Sequence, residues 1–70
     1  MMNLQEFQLA GAILELVENI QDVNEGKTFI QIYIKSYNHA LVKLGYNPLD
    51  GNQVLRFIIQ VDPRFNNMVY

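Results

Sequence analysis

The sequence predicts an all-α fold: a compact domain of three helices joined by short turns, ending in a short extended tail and assembling as a homodimeric bundle. Three observations support this. Apolar residues recur at three- and four-residue spacings along most of the chain, the period of a helix face. Gly26, Gly45 and the Asn47-Pro48 and Asp62-Pro63 pairs stand where helix stops and starts belong. Finally, half of the 70 residues are hydrophobic and cysteine is absent. A chain this short buries only about 60% of its unfolded surface, so without disulfides it is expected to share apolar surface between subunits.

The first helix is predicted over about residues 3–23. Leu9, Ile13, Leu16, Ile20 and Val23 form one stripe, and Phe7, Ala10, Leu14 and Val17 form a second beside it. Two adjacent stripes make an arc too wide for a helix covered on one side. With so few elements in the chain, one neighbour is expected from a second subunit, with Leu9, Ile13, Leu16 and Ile20 as the dimer interface. The alternative is a central helix buried within a monomer.

Asn24-Glu25-Gly26 reads as a break, followed by a second helix over about 28–44. Thr28 and Gln31 have capping-box spacing, and Ile30, Ile34, Tyr37, Leu41 and Leu44 supply a buried stripe. Residues 29–34, FIQIYI, also have the β-branched and aromatic composition of a strand. No partner strand is visible in the first half, which favours a helix. After Gly45 at the helix end, Asn47 as cap and Pro48 at the first position start a third helix over about 48–61. Asp50 with Gln53 is an alternative capping pair one turn later. Val54, Leu55, Ile58 and Val61 give this helix its apolar side. Asp62 precedes Pro63 and ends it, leaving residues 64–70 as an extended or loosely packed tail.

Composition narrows the function classes. Five Lys plus Arg against seven Asp plus Glu give a net charge of −2, and the basic residues are scattered singly. This counts against nucleic-acid binding, which is driven by phosphate neutralisation. The start MMNLQEF lacks the basic region of a signal peptide, and no apolar run approaches the ~18 residues of a membrane span, so a cytoplasmic location without membrane contact is expected. Ser36 and Thr28 lie in no nucleophile motif, and Ser36 with His39 lacks an orienting acid and an oxyanion hole. Glu15, Glu18 and Asp22 share a helix face but are too few for an oxygen-ligand cation site. Gly45 and Gly51 form no phosphate cradle. No catalytic, cofactor or metal site is read, and the chain is not expected to be an enzyme.

The third helix is the most informative segment. Asn52, Arg56 and Gln60 lie four apart with Gln53 beside them, a polar strip suited to contacting a partner. In a helix-turn-helix reader, amides pair with adenine and Arg with guanine, so a small DNA-binding transcriptional regulator is the alternative. The tyrosines and phenylalanines are spread along the chain and suit core and interface packing.

The junction between the second and third helices, over about Tyr37 to Asn67, resembles the IreB family of small regulatory proteins from Gram-positive bacteria. The resemblance is carried by Gly45, Tyr46, Asn47 and Pro48, then Asn52, Gln53, Phe57, Asp62 and Pro63. Asp50-Gly51 stands as an insertion against that pattern, Gln60 and Val61 replace small residues, and the first helix has no counterpart. The resemblance implies a helical homodimer acting in signalling; the type member is a substrate of a membrane Ser/Thr kinase. The family's N-terminal threonine has no equivalent here, Thr28 being the only threonine, so phosphorylation is not carried over. Together these readings predict a small non-enzymatic regulatory or inhibitory protein, of bacterial or phage type, that contacts itself and another protein.

Overall fold

The computed structural model describes residues 2–69 and contains three helices: α1 (Leu4–Val17), α2 (Val23–Lys43) and α3 (Gly51–Val61). A single 3-10 turn follows at Pro63–Phe65. No strand occurs among the described residues, and residues 29–34 lie inside α2.

The helix ends follow from their caps. At the start of α1, Asn3 Oδ1 accepts the Glu6 N–H at 2.8 Å while Glu6 Oε1 accepts the Asn3 N–H at 3.0 Å, a reciprocal capping box. Asp22 caps α2, its carboxylate accepting the N–H groups of Asn24 and Glu25 at 3.0 and 3.2 Å. That cap corrects two expected boundaries. α1 ends at Val17 rather than Val23, and α2 begins at Val23 rather than Thr28. The apolar spacing runs on unbroken because Ile20, in the corner, and Val23, in the new helix, are both half-buried against the same core. Thr28 is interior to α2, its hydroxyl donating to the Asn24 carbonyl at 3.1 Å.

Gly45 ends α2 as expected, with a φ of 88° that glycine adopts without strain. The Tyr46 N–H donates to the Leu41 carbonyl and the Gly45 N–H to the Val42 carbonyl, at 2.9 and 3.0 Å, the paired bonds of a Schellman motif. α3 starts one turn later than Pro48, because Asp50 is the cap, accepting from Asn52 and Gln53 N–H at 3.0 and 3.3 Å. Buried Leu49 and Val54 occupy the positions of a hydrophobic staple around that cap.

Contacts between the ends set the directions. Glu6 meets Asp50, the N-terminal ends of α1 and α3, while Arg64, just after α3, meets the C-terminal end of α1. α1 and α3 therefore run the same way, and they form the most extensive helix packing in the molecule. α2 runs back between these ends, its first turn against Phe65 and its Asn38 against Leu49.

The core draws Leu9, Ala10, Ile13 and Val17 from α1, Ile30 and Ile34 from α2, Leu49, Val54, Leu55 and Ile58 around α3, and Phe65. Residues from both stripes of α1 are thus covered within one chain. This corrects the expected dimer interface: Leu9 and Ile13 are 4% and 0% exposed, Ile20 is half-buried, and only Leu16 faces solvent. In α2 the expected stripe holds at Ile30, Ile34 and half-buried Leu41, whereas Tyr37 and Leu44 are exposed. Val61 is likewise exposed while Val54, Leu55 and Ile58 are buried.

The C-terminal segment is anchored at its start, at Arg64 and Phe65, while Asn66, Asn67 and Val69 beyond it are exposed. Phe65 is fully buried, and its ring lies over Gly26, so close that a Cβ there would come within 2.6 Å of the ring. Gly26 is therefore not a helix stop but a flat site in the first turn of α2 on which Phe65 rests. Arg64 fixes the approach. It grips Asp62 through Nε and Nη2, the shortest contact being 2.7 Å, and donates to the Ile20 and Val17 carbonyls at 2.7 and 3.3 Å. Its guanidinium also lies 5.0 Å from the Phe65 ring centroid. The Gln31 side chain holds the Val69 carbonyl at 3.3 Å; Tyr70 lies outside the described residues.

Four measurements check this account. Gly26→Ala should destabilise by about 1–2 kcal/mol in urea unfolding, because overpacking against Phe65 outweighs the helix-propensity gain. Gly11→Ala, where an added Cβ meets nothing within 4 Å, should instead stabilise by ~0.5–1 kcal/mol. Asn38→Ala should cost roughly 2–3 kcal/mol, since it strips the partners from both the N–H and the carbonyl of buried Leu49. Hydrogen bonds from the Arg64 guanidinium hold the Asp62 carboxyl below the ordinary carboxylate range. The stability this pair contributes is present at neutral pH and disappears as pH falls through that lowered value. Urea midpoints measured downward from pH 5 should fall less for Asp62→Asn than for the parent chain.

Candidate interaction surface

Among the described residues, every buried side-chain N or O atom has a hydrogen-bond partner. No group of three His, Cys, Asp or Glu is placed to hold a metal ion. Asp22 is occupied as the α2 cap, while Glu15 and Glu18 border a shallow depression with Leu14, Val61 and Asp62. Ser36 and His39 are both exposed on α2. The features that stand out are apolar surfaces that face solvent.

The first lies on α2. Phe29, Ile32, Tyr33, Ser36 and Tyr37 line an open groove of about 340 Å³ along the helix side. They follow the i, i+3, i+4, i+7, i+8 spacing of a helix face. Ile32 is 59% exposed, and the Phe29 and Tyr33 rings pair at 5.7 Å between centroids. A second depression continues the surface toward Asn24, Glu25 and Thr28. This face went unassigned in the sequence, although a signal was present. FIQIYI is apolar at more positions than one buried stripe can absorb, and the surplus at Phe29 and Ile32 marks a second face.

The second surface is on α3. Asn52, Arg56 and Gln60 are exposed together along its outer side, with Gln53 half-buried beside them, as their spacing indicates. Next to this strip lie half-buried Phe57 and exposed Val61, with Phe7 of α1 pairing with the Phe57 ring at 5.0 Å between centroids. Aromatic residues and arginine set among neutral amides suit a protein interface, where they are enriched over Lys, Glu and Asp.

The helix-turn-helix outline is altered by the connection. Residues 44–50 separate α2 from α3, longer than the about 3–4 residues of that motif's turn. No helix among the described residues is long and apolar enough to cross a membrane. Comparison with protein-family models, curated proteins and solved structures finds no match to this chain.

Proposed function

We propose that this chain is a small non-enzymatic regulatory or inhibitory protein that works by protein–protein contact, as a homodimer. The observation that carries the reading is the pair of separate solvent-facing apolar surfaces on so small a chain, beside an interior whose polar groups are satisfied. Contiguous exposed apolar surface of this kind marks contact sites. The α3 surface, with Asn52, Gln53, Arg56 and Gln60 beside Phe57 and Val61, is the side offered to a different protein. The likeness of the Gly45–Pro48 and Asn52–Pro63 pattern to the IreB family supports the same class of function.

DNA reading by α3 is the second possibility, favoured by the exposure of Asn52, Arg56 and Gln60 in four-residue steps. Arg56 is the only cation in that helix and the net charge is −2, which leaves little phosphate attraction. The two readings separate experimentally. A photo-crosslinking residue placed at Val61, or at Gln60, in the native host should yield one shared protein adduct, weakened by Arg56→Ala. Nuclease-sensitive adducts, with salt-dependent DNA retention lost in Arg56→Ala, would establish the DNA reading instead.

A further inference from the structure

The α2 groove carries a charge pattern that points to its occupant. Glu25 lies in the first turn of α2 and Lys43 in the last. They are 18 positions apart, five full helical turns at 3.6 residues per turn, so they lie on the same line of the helix. Between them on that line run Phe29, Ile32, Ser36 and His39, at alternating four- and three-residue steps. The face thus has an acidic end, an apolar first half, a small and polar second half, and a basic end. Such a face is complementary to its own reverse.

We infer that α2 pairs with α2 of a second copy, antiparallel, about a two-fold axis at the level of residue 34. In that register Glu25 of each copy meets Lys43 of the other at both ends. Ile32 of each copy lies opposite Ser36 of the other, a large residue against a small one. Phe29 lies level with His39 of the other copy and near its Ala40. Parallel pairing would oppose like charges at both ends and stack Phe29 on Phe29. An isologous two-fold contact is also the commonest closed assembly.

The size of the surface sets the strength. A 21-residue helix is about 31 Å long, and a face about 10 Å wide covers roughly 300 Å² per copy. That is well below the ~800 Å² per partner of a standard interface, so the dimer is weak and concentration-dependent. The proposal rests on the reading of the chain as a contact protein acting as a dimer, and adds the face and the register.

The test uses the full chain in sedimentation velocity over a concentration series up to about 1 mM. The parent chain should pass from monomer to dimer. Ile32→Glu, at an exposed position, should weaken the dimer at least tenfold with its circular dichroism unchanged. Glu25→Lys and Lys43→Glu should each weaken self-association, and an equimolar mixture of the two should restore it, because both ends are then opposite in charge. As the chain lacks native cysteines, disulfide trapping gives an independent readout. In a mixture of the two variants, Ile32→Cys should crosslink to Ser36→Cys, the two positions lying opposite each other across the axis. Glu25→Cys should crosslink to Lys43→Cys but not to itself, from which it is separated by about 27 Å. A monomer at every concentration, or Glu25→Cys trapped with itself, would overturn the pairing. A monomer whose α3 crosslink to a partner protein persists sinks the pairing alone. A dimer with only DNA adducts at α3 sinks the partner-contact reading and leaves the pairing standing.

Discussion

The backbone of Leu49 and Asp50 is the point on which the arrangement of the three helices depends. Asn38, in the C-terminal half of α2, donates to the Leu49 carbonyl and accepts its N–H, at 2.9 and 2.7 Å, as a backbone strand would. Glu6, in the first turn of α1, accepts the next N–H, that of Asp50, at 2.8 Å. Asp50 is itself the cap of α3. Two adjacent residues are therefore held by both other helices, and the direction of α3 is set where it begins. The Asn38–Leu49 bonds are buried, so leaving either group of Leu49 unpaired carries the full desolvation cost, while the Glu6–Asp50 bond is only part-buried. Glu6 has a further role. α1 and α3 run the same way, which brings the positive ends of their dipoles together, and a carboxylate bonded to backbone N–H groups at both ends offsets that charge.

The opposite end is closed by the reverse arrangement. Arg64 places a cation on the carbonyls of Val17 and Ile20, at the negative end of α1, while Asp62 orients it. This brings Phe65 over Gly26 and completes the core from the C-terminal side. A small domain without disulfides thus has a polar clamp at each end of its longest packing interface, with apolar side chains between. Each clamp joins segments more than forty positions apart in sequence, as the Glu6–Asp50 and Arg64–Ile20 bonds show. These long-range ties do for topology what local helix propensity cannot.

Helix type and number were legible because they depend on local pattern: the stripes of α1, the Gly45 stop, the Asp62-Pro63 exit. Boundaries were less so. Asp22 is as good a cap as any in the chain, but Ile20 and Val23 keep helical spacing across the corner it makes, and periodicity cannot see a turn that preserves phase. Gly26 looked like a stop because glycine often is one; its purpose, room for Phe65, depends on a residue far along the chain. The same limit hid Glu6 and Asn38, whose partners Asp50 and Leu49 reach them only in the fold. On the functional side, the exposed strip of α3 was readable because one helix face is a local property. Whether a stripe of α1 stays free was not, since the answer depends on how many neighbours the chain itself supplies.

That count also explains why the surplus apolar surface lies on α2. At 14 and 11 residues, α1 and α3 are about 21 and 16 Å long, whereas the 21 residues of α2 reach about 31 Å. α1 and α3 spend their apolar sides mainly on each other. α2 has one side to give the core, through Ile30 and Ile34, and among the described residues Phe29 and Ile32 on the other side stay exposed. For a stable monomer those positions need no apolar residue, and a charged one there would favour solubility. A helix that keeps them apolar, and places its acid and base at opposite ends of the same line, has the pattern on which the proposed pairing with a second copy rests.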